Sequence, residues 1–209
     1  MIDVFYLFII WPGWADYEKG AIPQSAFIKV YTDRQPQHKN WPKLRWQPVA
    51  INNISEHVVR AVVVAEDARF YSHNGIDIEA LKEVMAYNLS KGKFIFGGST
   101  ISQQTTKNLF LTPSRNPLRK WHELVLTMGM ERNLTKKRIM ELYLNVAEFG
   151  RGIYGVNAAA QHYWGISASS LSVEQAIELA ATLPSPVKHN PKTRTRYFLR
   201  RVKKITRFF

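Results

Sequence analysis

The chain has 209 residues, 45% of them apolar and 22% charged, which suits one compact domain and excludes wholesale disorder or a multispanning membrane protein. Its 29 Lys and Arg against 16 Asp and Glu give a net charge of +13, so its natural partners are polyanions: nucleic acid, anionic lipid or a phosphorylated substrate. Nine of those basic residues lie from Lys188 to the end with no acid among them, leaving 20 against 16, or +4, for the rest. The absence of cysteine excludes a disulfide, a thiolate nucleophile and Cys-ligated zinc, and fits any redox compartment.

Val4 to Trp11 form an apolar run closed by Pro12 and Gly13. It is shorter than the roughly 20 residues that span a bilayer, and no Lys or Arg precedes it as a cleavable signal requires. It reads as the last turns of a membrane anchor or as a buried hydrophobic strand. Ala21 to Pro48, rich in Pro, Gln, Lys and Trp without a clear period, predicts an irregular or extended connector. Ser55 then caps a predicted helix through Arg69, with Val58, Val59, Val62, Val63 and Ala65 facing inward. Ile78 to Ser90 repeats that apolar pattern through Ile78, Leu81, Val84, Met85 and Leu89, and Gly92 lies just past its end.

Phe94 to Phe96 reads as a brief extended piece. Thr100 and Gln103 predict a capping box opening a helix toward Leu111, with Pro113 ending it. Asn116 and Pro117 start the next helix, whose predicted inner face carries Leu118, Trp121, Leu124, Val125 and Met128. Further helices are predicted from Thr135 to Asn145, Gly155 to Tyr163 and Ser172 to Leu183, and a basic one within Arg194 to Arg207. The fold class is a mainly α single domain without internal repeats.

Polar residues cluster where packing does not ask for them. Glu66 and Asp67 end an apolar helix, where the negative end of the macrodipole disfavours them. Either one is solvated and the other accepts loop hydrogen bonds, or a partly apolar setting raises a pKa so that a carboxylate exchanges protons near neutrality. His73 fits a loop-fixing partner as well as a catalyst. Thr100, Gln103, Gln104 and Lys107 share one helix face, suited to a sugar or phosphate and equally to solvent. Arg115, Arg119, Lys120 and Glu123 make either surface ion pairs or a basic pocket for a diphosphate. Glycines 150, 152 and 155 suggest tight turns or close packing.

Read together, EDxxFxxHxG, GxSTIxQQxxKN, RKxxE, KxxxxExYLN and GxxGVxxAA stand in one order between Ile51 and Pro186. That series resembles the peptidoglycan glycosyltransferases of glycosyltransferase family 51, and the length is similar to that of its monofunctional biosynthetic members. The resemblance implies a lysozyme-like, mainly α catalytic fold, a single-pass anchor in the bacterial cytoplasmic (inner) membrane, and a catalytic domain on its periplasmic or outer face. It divides the chain into a partial anchor (1–20), a connector (21–50), a catalytic domain (51–187) and a basic tail (188–209).

The same resemblance implies residue roles. Glu66 matches the general base that deprotonates the acceptor sugar's 4-hydroxyl. Glu123 matches the second carboxylate, expected to bind a divalent cation (Mg or Mn) at the diphosphate or to tune the basic pocket. Lys107, Arg115, Arg119 and Lys120 would stabilise the leaving diphosphate. Asp67, Phe70, His73 and Gly75 would shape the cleft, and Ser99, Thr100, Gln103, Gln104 and Asn108 would line the donor site. The implied partners are lipid II, the growing lipid-linked glycan, the cytoplasmic membrane and cell-wall synthesis or division proteins, with no nucleic acid and no organic cofactor. The basic tail reads as a solvated helix or as a contact to anionic lipid. A glycan-cleaving enzyme and a non-enzymatic binding module are the rival readings; the first has no use for a diphosphate pocket, the second none for the carboxylates.

Overall fold

The computed structural model describes residues 7, 9–92, 98–113 and 116–209, and it is mainly helical. Half of the apolar run, the extended piece at 94–96 and Arg115 fall outside those residues. No helix among the described residues is long and apolar enough to cross a membrane.

The helices are α1 (Ala15–Glu18), α2 (Ala26–Arg34), α3 (Glu56–Glu66), α4 (Ile78–Lys91), α5 (Ile101–Phe110), α6 (Pro117–Asn133), α7 (Lys136–Val146), α8 (Val156–Trp164), α9 (Val173–Thr182) and α10 (Arg196–Thr206). A small sheet joins β1 (Arg45–Trp46), β2 (Glu148–Gly150) and β3 (Ile153–Tyr154) in the order β1-β3-β2. β1 runs parallel to β3, with Arg45 opposite Ile153, and β2 pairs antiparallel to β3 with Glu148 opposite Tyr154.

Capping chemistry sets most helix starts. Thr100 and Gln103 form the expected capping box on α5, and Ser172 with Gln175 forms another on α9. Asn116 accepts from the Leu118 amide at 2.9 Å. Ser55 is a correction: its hydroxyl donates to the Leu171 carbonyl at 3.0 Å instead of capping, and α3 stops at Glu66 with Asp67 as C-cap. The connector is corrected too. Ser25 accepts from the Ile28 amide at 3.2 Å and opens α2, which buries Ile28 and Tyr31.

One apolar core runs through the molecule, fed by Val58 and Val62 of α3, Ile101 of α5, Leu126 and Met130 of α6, Ile139 and Leu142 of α7, Leu179 of α9 and Phe198 of α10. α5 packs on α6 and α7, while α3 lies along α9 with α10 beside both. Two predicted faces are reversed. Ile78, Leu81, Met85 and Leu89 of α4 are exposed, as are Leu118, Trp121 and Met128 of α6, which buries His122, Glu123, Leu126 and Met130 instead. His122, Leu126 and Met130 share an i, i+4 stripe with Glu123 beside it, so α6 turns its carboxylate inward with its core.

Residues of the fourth motif fasten the connector. The Asn145 side chain accepts from the Val49 amide at 2.8 Å and donates to the Val49 and Glu141 carbonyls, while Glu141 accepts from the Ile51 amide at 2.7 Å. Gly155, at φ +83°, lets the chain pass the Asn145 carbonyl, which a Cβ would meet at 2.8 Å.

Candidate active site

The end of α3, one face of α4 and the segment leading into α5 converge on a cavity of about 300 Å³ lined by Glu66, Asp67, Val84, Gly98, Ser99 and Thr100. Glu66 is the last residue of α3, and both its oxygens are held. Arg201 Nη2 of α10 donates to Oε1 at 2.9 Å, and Gln104 Nε2 of α5 donates to Oε2 at 3.0 Å. Tyr143 of α7 donates its hydroxyl to Gln104 Oε1 at 3.2 Å, fixing which end of the amide faces Glu66. Burial pushes the Glu66 carboxyl above the usual range, and the Gln104 amide, Arg201 and Lys107 pull it back.

Asp67 does a different job. It is buried, accepts from the Ile101 amide at 2.9 Å and from His73 Nε2 at 3.0 Å, and His73 Nδ1 accepts from the Gly75 amide at 3.1 Å. That second bond sets the imidazole's proton on Nε2, so the ring donates to Asp67. Asp77 comes near this pair but accepts from Arg69 Nε at 2.8 Å and from the Ala80 amide at 2.8 Å. With these atoms engaged, Asp67, His73 and Asp77 tie the loop after α3 to α4 and α5. Thr100 adds to the tie through its hydroxyl, donated to the Gly75 carbonyl at 2.6 Å. Thr100 and Gln103 are therefore buried in capping, while their helix neighbours Gln104 and Lys107 reach the site.

The cationic half of the site stands beside Ser99. Lys120 Nζ donates to the Ser99 hydroxyl at 3.1 Å and pairs with Glu123 Oε1, while Arg119 Nη1 reaches Glu123 Oε2 at 2.9 Å. Glu123 is only 2% exposed, so this is no solvated surface pair. Lys107 of α5 is near enough to feel the charge of both Glu123 and Glu66. Burial pushes its ammonium below the usual lysine range, Glu123 opposes that shift, and Arg119 and Lys120 add to it. Its Nζ stands 5.9 Å over the Phe27 ring of α2. Arg119 and Lys120 thus hold one carboxylate with Lys107 within range of its charge, a setting that suits a multivalent anion. It does not suit Glu123 as a metal ligand, because both its oxygens are already engaged by cations and, among the described residues, it belongs to no group of three or more His, Asp or Glu side chains placed to share an ion. Asn108 is buried on α5, one residue beyond Lys107.

Three residues that hold the site were given no role from sequence. Glu131 accepts from Ser102 Oγ and from Lys136 Nζ, the latter at 2.7 Å, and Lys136 also lies 4.6 Å over the Phe70 ring. Tyr143 orients Gln104. Arg201 holds Glu66, and its signal was legible: Phe198, Arg201 and Ile205 stand three and four apart, so a cation occupies the buried stripe of α10. The basic tail is thus neither a solvated helix nor one turned wholly to lipid.

A mainly helical domain that sets a largely buried, oriented carboxylate beside a cluster of cations has groups suited to moving a proton next to a departing anion. Comparison with known proteins gives the family: the chain matches Transglycosylase over residues 35–208 and belongs to that family. It is 44% identical over 183 residues to the biosynthetic peptidoglycan transglycosylase of Nitrosospira multiformis, covering 87% of this chain and 79% of that one. The proteins of the same name from Methylobacillus flagellatus and Laribacter hongkongensis are 41% identical over 200 residues and 40% identical over 209. Those matches cover 96% and 99% of this chain, and 85% and 92% of the respective relatives.

Proposed function

We propose that this peptidoglycan glycosyltransferase polymerises lipid II, with Glu66 as general base and Lys107, Arg119 and Lys120 as the site of the leaving diphosphate. The observation that carries the reading is the pairing of a largely buried, oriented carboxylate with the cations Arg119 and Lys120 at Glu123 and Lys107 nearby. In the step, the acceptor 4-hydroxyl gives its proton to Glu66 as its oxygen bonds to the donor's anomeric carbon. The bond from that carbon to the diphosphate oxygen breaks, and its electron pair leaves with undecaprenyl diphosphate. One displacement inverts the α-linked donor to a β-1,4 glycan, so no covalent enzyme intermediate is needed. Cations held in place before the reaction stabilise the developing charge without reorganisation.

The resemblance also supports work at the cell envelope, with a lysozyme-like catalytic domain outside the cytoplasmic membrane. The exposed apolar side chains of α4 and α6 support contact with lipid, since scattered polar residues would serve a face that meets only water. The test is to incubate the purified protein with lipid II in detergent, with and without a divalent cation, and to separate the products. Glycan polymer is expected; cleavage of preformed glycan without polymer would overturn the reading in favour of a hydrolase.

A further inference from the structure

A carboxylate at the C-terminal end of an apolar helix is opposed by desolvation, by the helix dipole and by a neighbouring acid, and Glu66, largely withdrawn from water beside Asp67, meets all three. A base placed so needs a counterion, and the candidates are few. Lys107 of α5 acts on it from a distance, Gln104 gives a neutral hydrogen bond, and Tyr143 of α7 faces it as a neutral phenol. Asp67 adds negative charge on the same segment. α9 lies along α3 carrying Glu174 and Glu178, and Glu178 is paired with Arg194 at 2.8 Å. Among the described residues, direct ionic contact comes from α10, through Arg201.

We infer that Arg201 is a positioning residue for the reaction: its guanidinium holds the Glu66 carboxylate as an aimed anion, which makes the basic C-terminal helix part of the catalytic site. The inference rests on the reading of Glu66 as base. Three observations carry it. Arg201 Nη2 meets Glu66 Oε1 at 2.9 Å with the Arg201 side chain 23% and the Glu66 side chain 11% exposed, so the pair is largely withdrawn from water. Arg201 Nε is buried without a partner, so the guanidinium sits where Glu66 needs it rather than where its own donors are best satisfied. And α10 is fastened on both sides of Arg201, by Phe198 and Ile205 in the core and by Arg60 of α3, which donates to the Phe209 carbonyl and lies 4.7 Å over its ring.

The contact is made by one guanidinium nitrogen, and Gln104 takes the other carboxylate oxygen. Each oxygen therefore keeps a lone pair for the acceptor hydroxyl. A two-pronged Arg pair would leave a weaker base; no cation at all would leave a protonated one. Because Arg stays charged at any working pH, it holds Glu66 ionised while lending it no proton.

The experiment is the pH dependence of kcat/KM for lipid II polymerisation by the full chain, comparing wild type, Arg201→Met, Arg201→Lys and Glu66→Gln, with a thermal melt of each. Loss of the cation is expected to move the acid limb of Arg201→Met upward by about one pH unit or more. Activity at pH 7 then falls at least about tenfold and is partly restored at alkaline pH. Arg201→Lys is expected to keep the limb near the wild-type position. A packing role alone would lower activity evenly at every pH, and an unmoved limb in a folded Arg201→Met overturns the inference. Should that variant lose its cooperative melt, Arg201→Gln, which keeps polar atoms and drops the charge, carries the same comparison. Full turnover by Glu66→Gln would overturn the base reading itself, whatever Arg201 does.

Discussion

At the scale of single residues, charge placement decides the chemistry. Lys107 is expected to matter through its charge: Lys107→Met should lower kcat about 100-fold or more, as removal of one preorganised donor to a developing anion does. Hydrolysis of preformed glycan, assayed alongside, would be spared if the cations served no diphosphate. Glu148 tests burial separately. Its carboxyl is pushed up to about 7, by burial first, with the Gly152 amide and Arg151 opposing. A raised carboxylate pKa favours the folded state while the group is protonated, so that contribution is lost as pH rises from about 4.5 through about 7. Glu148→Gln keeps an acceptor for the Gly152 amide and should melt like the wild type at pH 4, yet above it at pH 8, by the equivalent of about 1–3 kcal/mol. Of the site residues, Glu66, Gln104, Lys107, Arg119, Lys120 and Glu123 were legible as a cluster because the motifs gave their order. Whether Glu123 was a solvated pair could not be read from an i, i+4 spacing, since spacing does not show which side of a helix is buried. Arg201 carried a signal in its spacing from Phe198 and Ile205, but as one cation among nine in the tail it was outweighed by a net charge that suggested a surface.

At the scale of elements, local signals were read well where capping chemistry wrote them and poorly where packing decided. Thr100, Asn116 and Ser172 mark their helix starts in sequence and in structure alike. The apolar stripes of α4 and α6 were read as core because amphipathicity shows that a helix has two faces without saying what covers the apolar one. α2 was missed because Pro, Gln and Lys around it mask the pair Ile28 and Tyr31. The hairpin of β2 and β3 is too short to carry a period. Two substitutions test this level. Phe198→Ala, at a fully buried position, should cost about 3–5 kcal/mol in urea denaturation, and it should lower activity further by loosening Arg201. Gly155→Ala meets both a positive φ and the Asn145 carbonyl, so it should destabilise by more than about 1 kcal/mol, with the unfolding slope unchanged.

At the scale of the whole molecule, α3 and α10 bring the proton acceptor and its counterion, α5 and α6 bring the cations, and the loop tied by Asp67 and His73 keeps the halves in register. The exposed apolar faces of α4 and α6 lie outside that frame. Joint replacement of Met85, Leu89 and Trp121 by Ser should therefore reduce binding to anionic vesicles several-fold while leaving the thermal melt unchanged; unaltered vesicle binding would separate those faces from the membrane. The central claim is that a buried carboxylate accepts the acceptor's proton beside a diphosphate site. It is tested most directly by measuring lipid II binding and polymer formation for Glu66→Gln against the wild type, under identical conditions. The account expects binding within about twofold of the wild type and turnover reduced by at least about 100-fold. Polymer formed at a near-normal rate would contradict it.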